Sequence, residues 1–194
     1  MKTSEADIII VPGWSGSGSD HWQTRWEKNL KTARRVEQAD WIRPDRDQWV
    51  ARIVEAVAQS VRPVVLVAHS LGAMAVAHAG AKLARLPAPP VGAFLVAPAD
   101  VDNADRWPIT QGETFGASEE SGFAPAPMTP LPFPSILIAS SNDPYCSLDR
   151  ARELGEAWGS AIIESGELGH INVASGHGPW PDGLLAFGMF LQRL

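Results

Sequence analysis

The sequence predicts an α/β fold, a doubly wound and mainly parallel sheet of about six strands with helices on both faces. Short, unbroken apolar runs are the first observation behind this prediction. Stretches of helical spacing alternate with those runs along the whole chain, and several runs stop at glycine, proline or a polar turn.

The clearest runs are residues 8–11, 64–68, 91–96 and 136–139. Their apolarity is continuous rather than alternating, which predicts strands buried on both faces. Residues 34–38 and 161–164 are weaker strand candidates. Helical spacing marks residues 20–32 with Ser19 or Asp20 as N-cap, then 46–60, 71–85, 148–158 behind Ser147, and 183–194. In the second of these, Val50, Ile53, Val54 and Val57 recur at i, i+3, i+4 and i+7, one face of a helix. Alternation of this kind predicts crossover connections, with functional sites at the carboxyl ends of the strands. One segment, residues 99–134, breaks the rhythm. It is rich in proline, glycine and acidic residues and reads as an irregular loop partly covering the site, with Trp107, Phe115 and Phe123 to line a pocket. The competing expectation is a solvated excursion with those rings tucked onto the surface.

A chain of 194 residues fits one domain, expected to span residues 1–194. The composition is 45% hydrophobic and 20% charged, which is too apolar for a disordered chain. A net charge of -6 disfavours nucleic acid and anionic lipid as partners. Cys146 is the only cysteine, so no intrachain disulfide forms. Near the N-terminus, Glu5 and Asp7 precede a four-residue apolar run that falls far short of a signal-peptide core. No stretch has transmembrane length. The expected setting is therefore the cytoplasm, without membrane association.

The chemistry begins at residues 64–74, VVLVAHSLGAM, a buried strand followed by a turn and a helix start with Ser70 at the apex. This matches a nucleophile elbow, with Ala68 where the first glycine of G-x-S-x-G usually stands. Strand and helix approach closely there, so the positions of Ala68 and Gly72 require small residues. A serine after a strand can also be a plain helix N-cap. Two later residues favour the nucleophile. Asp143 follows the strand at 136–139, and His170 follows the last strand candidate, in the order acid then histidine. Asp143 lies in Asn142-Asp143-Pro144, which is also a good turn sequence, and the two roles are compatible. Asp100 and Asp102 are the rival acids, and His177 is the rival base.

An oxyanion needs two backbone donors. Leu71 N–H, directly after the serine, is one, and Trp14 N–H in the loop after the first strand is the other. That loop, residues 11–20, is glycine-rich, but it lacks the Lys-Ser/Thr ending of a phosphate-binding loop, and His21 occupies the last position of the G-x-G-x-x-G spacing. Of the remaining histidines, His69 is expected to pack beside the elbow and His78 to lie on a helix surface. His21 is a candidate for the pocket border. The histidines show no metal-ligand spacing, and one cysteine cannot build a zinc-thiolate site, so neither metal nor cofactor is expected. Trp22 and Trp26 stand at i, i+4 spacing and are expected to pack in the core or at the rim, with Trp14 the tryptophan expected to meet substrate.

With these motifs together, the chain resembles the small serine-hydrolase family that includes retinoblastoma-binding protein nine and its bacterial relatives. The matching strings are residues 11–27, VPGWSGSGSDHWQTRWE; 66–73, LVAHSLGA; 97–100, APAD; 131–151, LPFPSILIASSNDPYCSLDRA; and 169–183, GHINVASGHGPWPDG. The resemblance implies a minimal α/β-hydrolase fold without a large lid domain, and a triad matching Ser70, Asp143 and His170. It implies esterase-like activity, and no motif matches a segment for a protein partner.

The expected reaction is acyl transfer to water on small to medium esters through an acyl-enzyme on Ser70. Amidase or peptidase action on small substrates uses the same residues. A protein-interaction module with an idle triad is the third alternative.

Overall fold

The computed structural model describes residues 1–110, 112, 114, 115 and 118–194, without the side chains at 118 and 119. The strands are β1 Asp7–Val11, β2 Ala33–Arg35, β3 Val64–His69, β4 Gly92–Val96, β5 Ser135–Ala139 and β6 Ala161–Glu164. They form one sheet in the order β2-β1-β3-β4-β5-β6, and every neighbouring pair is parallel. The order reverses between β1 and β3, so the loops that leave these two strands diverge and open a crevice.

The helices are α1 Trp22–Asn29, α2 Arg46–Ala58, α3 Leu71–Leu83, the single turn α4 Ser118–Ser121, α5 Leu148–Trp158 and α6 Pro181–Leu191. Alternate strand residues point to opposite faces, which sorts the core into two layers. Ile8, Ile10, Val65, Val67, Phe94 and Val96 pack with Trp22 and Trp26 of α1 and Phe187 and Phe190 of α6. Ile9, Val11, Leu66, Leu95 and Leu137 pack with Trp49 and Ile53 of α2, Met74 and Val76 of α3, and Leu154 and Trp158 of α5. Both faces are covered, which accounts for the unbroken apolar runs. Among the described residues, no helix is long and apolar enough to cross a membrane.

Several boundaries differ from the sequence expectation. Helix α1 is capped by His21 rather than Ser19 or Asp20, because Nδ1 of His21 accepts the Gln23 backbone N–H at 3.2 Å. The helix stops at Asn29 rather than residue 32, since the Thr32 carbonyl is used to accept Ile8 N–H at the start of the β1–β2 pairing. Strand β2 covers only residues 33–35; Val36 still donates to the Ile10 carbonyl, and the chain then leaves the sheet. Helix α6 starts at Pro181 rather than residue 183, with the proline in the first turn, where a missing N–H costs no helical bond.

The segment between β4 and β5 contains a 3-10 stretch, Val101–Arg106, and α4. Residues 111, 113, 116 and 117 of the expected cover lie outside the described residues. The segment is pinned at several points. Arg150 of α5 pairs with Asp100 at 3.3 Å and with Asp102, Trp158 Nε1 donates to the Pro127 carbonyl at 2.7 Å, and His78 Nε2 donates to the Phe123 carbonyl at 2.8 Å. His78 is therefore half-buried and tethered rather than a surface residue. Phe123 is fully buried between Trp49 and His78, a core ring rather than a pocket ring.

Candidate active site

Ser70 occupies the turn between β3 and α3 with φ 56° and ψ −126°, a conformation that a non-glycine residue adopts only under strain. The surrounding small residues make the turn possible. A Cβ at Gly72 would lie 2.3 Å from the Val11 carbonyl oxygen and 2.5 Å from that of Pro12. A Cβ at Gly13 would lie 2.7 Å from Ser70 Cβ. The loop after β1 is thus pressed directly onto the elbow. Gln23, fully buried, holds it there: its Nε2 donates to the carbonyls of Val11 and Val67, each at 3.2 Å, and its Oε1 accepts the Ser17 hydroxyl at 2.7 Å.

Leu71 N–H begins α3, where no earlier turn supplies an acceptor. Among the described residues, neither Leu71 N–H nor Trp14 N–H donates to a protein group.

The Ser70 hydroxyl lies 2.8 Å from His170 Nε2, and His170 Nδ1 lies 2.9 Å from each carboxylate oxygen of Asp143. A carboxylate only accepts, so Nδ1 carries the proton and Nε2 is left to accept from the serine. Asp143 Oδ1 also accepts Tyr145 N–H at 2.9 Å, so the turn role and the contact with His170 occur together. The loops after β5 and β6 are tied to each other. Asn142 Oδ1 accepts Gly169 N–H at 2.6 Å and the Ser140 hydroxyl at 2.9 Å, and Ser140 Oγ accepts Leu168 N–H at 3.0 Å. His170 sits between residues of positive φ, Gly169 at 58° and Ile171 at 48°. The Tyr145 ring lies against its imidazole with centroids 4.1 Å apart, and His69 Nε2–H donates to its carbonyl at 2.8 Å. The rival residues stand elsewhere. Asp100 and Asp102 are engaged by Arg150, and His177 contacts Ser175 and Trp180.

A cavity of about 360 Å³ opens over Ser70. Trp14, Trp107 and Tyr145 form an aromatic wall, with Thr110 bound through its Oγ1 to the Tyr145 hydroxyl at 2.6 Å. His21 and His69 line the cavity as well. Phe115, expected in the pocket, does not line it; its ring packs 5.4 Å from Trp14 and 4.6 Å from Trp107, supporting the wall from behind. Sequence reasoning missed Thr110, Tyr145 and Asn172 as lining residues. Tyr145 had a signal, because an Asx turn at Asp143 brings the residue two positions on back beside the carboxylate. Among the described residues, no cluster of three or more His, Cys, Asp or Glu is placed to hold a metal ion.

Burial, with smaller contributions from the charges of His170 and Arg35, lowers His21 to about 3. Burial, His170 and His21 together push His69 well below the ordinary imidazole value. Both rings are neutral at pH 7.

A wholly parallel sheet with a serine on the strained turn after β3, and an acid and a histidine beyond β5 and β6, defines an α/β-hydrolase. The chain belongs to the serine hydrolase family, whose model matches residues 8–189. Among solved structures it is similar to a putative YdeN-like hydrolase from Pectobacterium atrosepticum, with 31% identity and a TM-score of 0.82, over 98% of this chain and 93% of that one. It also shares its fold with the ydeN gene product of B. subtilis, at 18% identity and TM-score 0.72 over 97% and 99% of the two chains. The RedJ thioesterase of the prodiginine pathway in Streptomyces coelicolor shows the same fold at 18% identity and TM-score 0.64, over 95% and 90%. A search of curated proteins gave no match.

Proposed function

We propose that the protein is a carboxylesterase that hydrolyses small to medium esters through an acyl-enzyme on Ser70. The observation that carries this is the unbroken relay from Asp143 through His170 to Ser70, at 2.9 Å and 2.8 Å. His170 Nε2 takes the hydroxyl proton as Ser70 Oγ attacks the ester carbonyl, and Asp143 stabilises the imidazolium. Leu71 and Trp14 N–H receive the oxyanion. His170 then gives its proton to the departing alcohol. A water molecule, deprotonated by the same nitrogen, attacks the acyl carbonyl, and collapse of the second tetrahedral intermediate releases the acid and restores Ser70. The cavity stands near the lower end of the roughly 300–1,000 Å³ range of small-molecule sites, which favours compact acyl groups.

A fluorophosphonate probe tests the assignment. Wild type should be labelled and Ser70→Ala should not, and equal labelling of the two would refute it. Matched ester and amide substrates then measure how far the same machinery cleaves amides.

A further inference from the structure

Two buried histidines beside the relay take no part in it, and their hydrogen bonds fix the proton on each ring. His21 Nδ1 accepts the Gln23 backbone N–H, so the proton of neutral His21 is on Nε2. His69 Nε2 faces the carbonyl of His170, which can only accept, so neutral His69 carries its proton there and leaves a bare lone pair on Nδ1. Neither His21 Nε2 nor His69 Nδ1 has a protein partner among the described residues. Neither is sealed off, since among the described residues the buried side-chain nitrogen and oxygen atoms left without a partner belong to Gln38 alone. Both residues are 5% exposed and both line the cavity over Ser70.

We infer that His21 and His69 form a neutral donor–acceptor pair that selects acyl groups bearing a hydroxyl close to the scissile carbonyl. The inference rests on the assignment of Ser70 as nucleophile. A hydroxyl both accepts and donates, so one oxygen takes the His21 Nε2–H and gives its own proton to His69 Nδ1. The ring centroids are 4.9 Å apart, so one small polar group in the cavity can reach both rings. His69 immediately precedes Ser70, and its ring centroid is 4.8 Å from that of His170, so the hydroxyl lies within a few bonds of the reacting carbon. A carboxylate in the same place meets an acceptor on His69 and finds no lysine or arginine among the described lining residues, which include Asp20.

The test compares 4-nitrophenyl 2- and 3-hydroxybutanoate with their 2- and 3-methylbutanoate isosteres and with the monosuccinate ester. In wild type, kcat/KM for at least one hydroxy ester should exceed that of its methyl isostere by about tenfold or more, and the succinate should be poorer than that hydroxy ester by a similar factor. His21→Ser keeps an N-cap oxygen and removes the donor, so the hydroxy-to-methyl ratio should fall to within about twofold of unity. Taking the ratio within one variant cancels any loss in the common acyl-transfer step. If His21→Ser does not fold, His21→Asn keeps the cap with a shorter amide donor, and its ratio should fall at least about threefold. A labelled wild type with a ratio near one for both isomers, a preferred succinate, or an unchanged ratio in the variant that folds would overturn the inference alone. A wild type that the fluorophosphonate does not label would overturn the Ser70 assignment and this inference with it.

Discussion

At the scale of single residues, the site is a set of conflicts resolved by neighbours. Asp143, Asp100 and Asp102 all follow strands, and sequence alone separates them weakly. Geometry separates them by partner: Asp143 faces His170, whereas Arg150 occupies the other two. Asp143→Asn should therefore lower kcat by about 10⁴, because the amide no longer holds the imidazole in the useful tautomer. Asp100→Asn should lower it by less than about tenfold, since it acts only through packing of the covering segment. Steady-state rates on one aryl ester decide the matter, and equal losses would transfer the acid role to Asp100. The meeting of Ser70, Asp143 and His170 was legible because strand, turn and helix signals fix chain order. Thr110 and Asn172 were not, because a side chain reaching a cavity from an irregular loop leaves no period in the sequence.

Among the secondary-structure elements, the close approach at the elbow is the most constrained contact. Gly72→Ala would drive a methyl into two backbone carbonyls that cannot rotate away. A cost of about 3 kcal/mol, the upper end of ordinary overpacking, corresponds to a Tm lower by about 6–12 °C in a chain of this size. A melting curve that matches wild type would show that the loop after β1 yields easily. The covering segment depends on α5 through Arg150, whose side chain is mostly buried among Asp100, Asp102 and Glu153. Arg150→Met should loosen Trp107 and Thr110, raising KM several-fold while changing kcat little. A loss confined to kcat would argue against that anchoring. Strands β1, β3, β4 and β5 were plain in the sequence because helices bury both of their faces. Strands β2 and β6 gave weaker signals for the complementary reason: they are the sheet edges, their side chains are partly or fully exposed, and burial no longer selects apolar residues there.

Across the whole molecule, the buried neutral histidines tie folding to acidity. An unfolded chain binds protons on histidine below about pH 6.5, whereas folded His21 resists protonation down to about 3 and His69 stays well below its ordinary value. The unfolded state therefore binds more protons over that interval. The contribution is fully present above about pH 6.5 and is lost as pH falls toward 3. Thermal melts at steps from pH 7.5 to 5, above most carboxylate titration, should show Tm falling with acid, and less steeply in His21→Ser; parallel curves would disprove the linkage.

The architecture divides labour unevenly between sheet and cover. Ser70, Asp143, His170 and the loop that carries Trp14 all leave strand ends of the sheet, whereas among the described residues the segment between β4 and β5 gives the cavity only Trp107 and Thr110. Mutation in that segment can reshape the cavity and change what it admits without disturbing the contact of Ser70, His170 and Asp143. Selection can thus treat recognition as a replaceable part and chemistry as a fixed one.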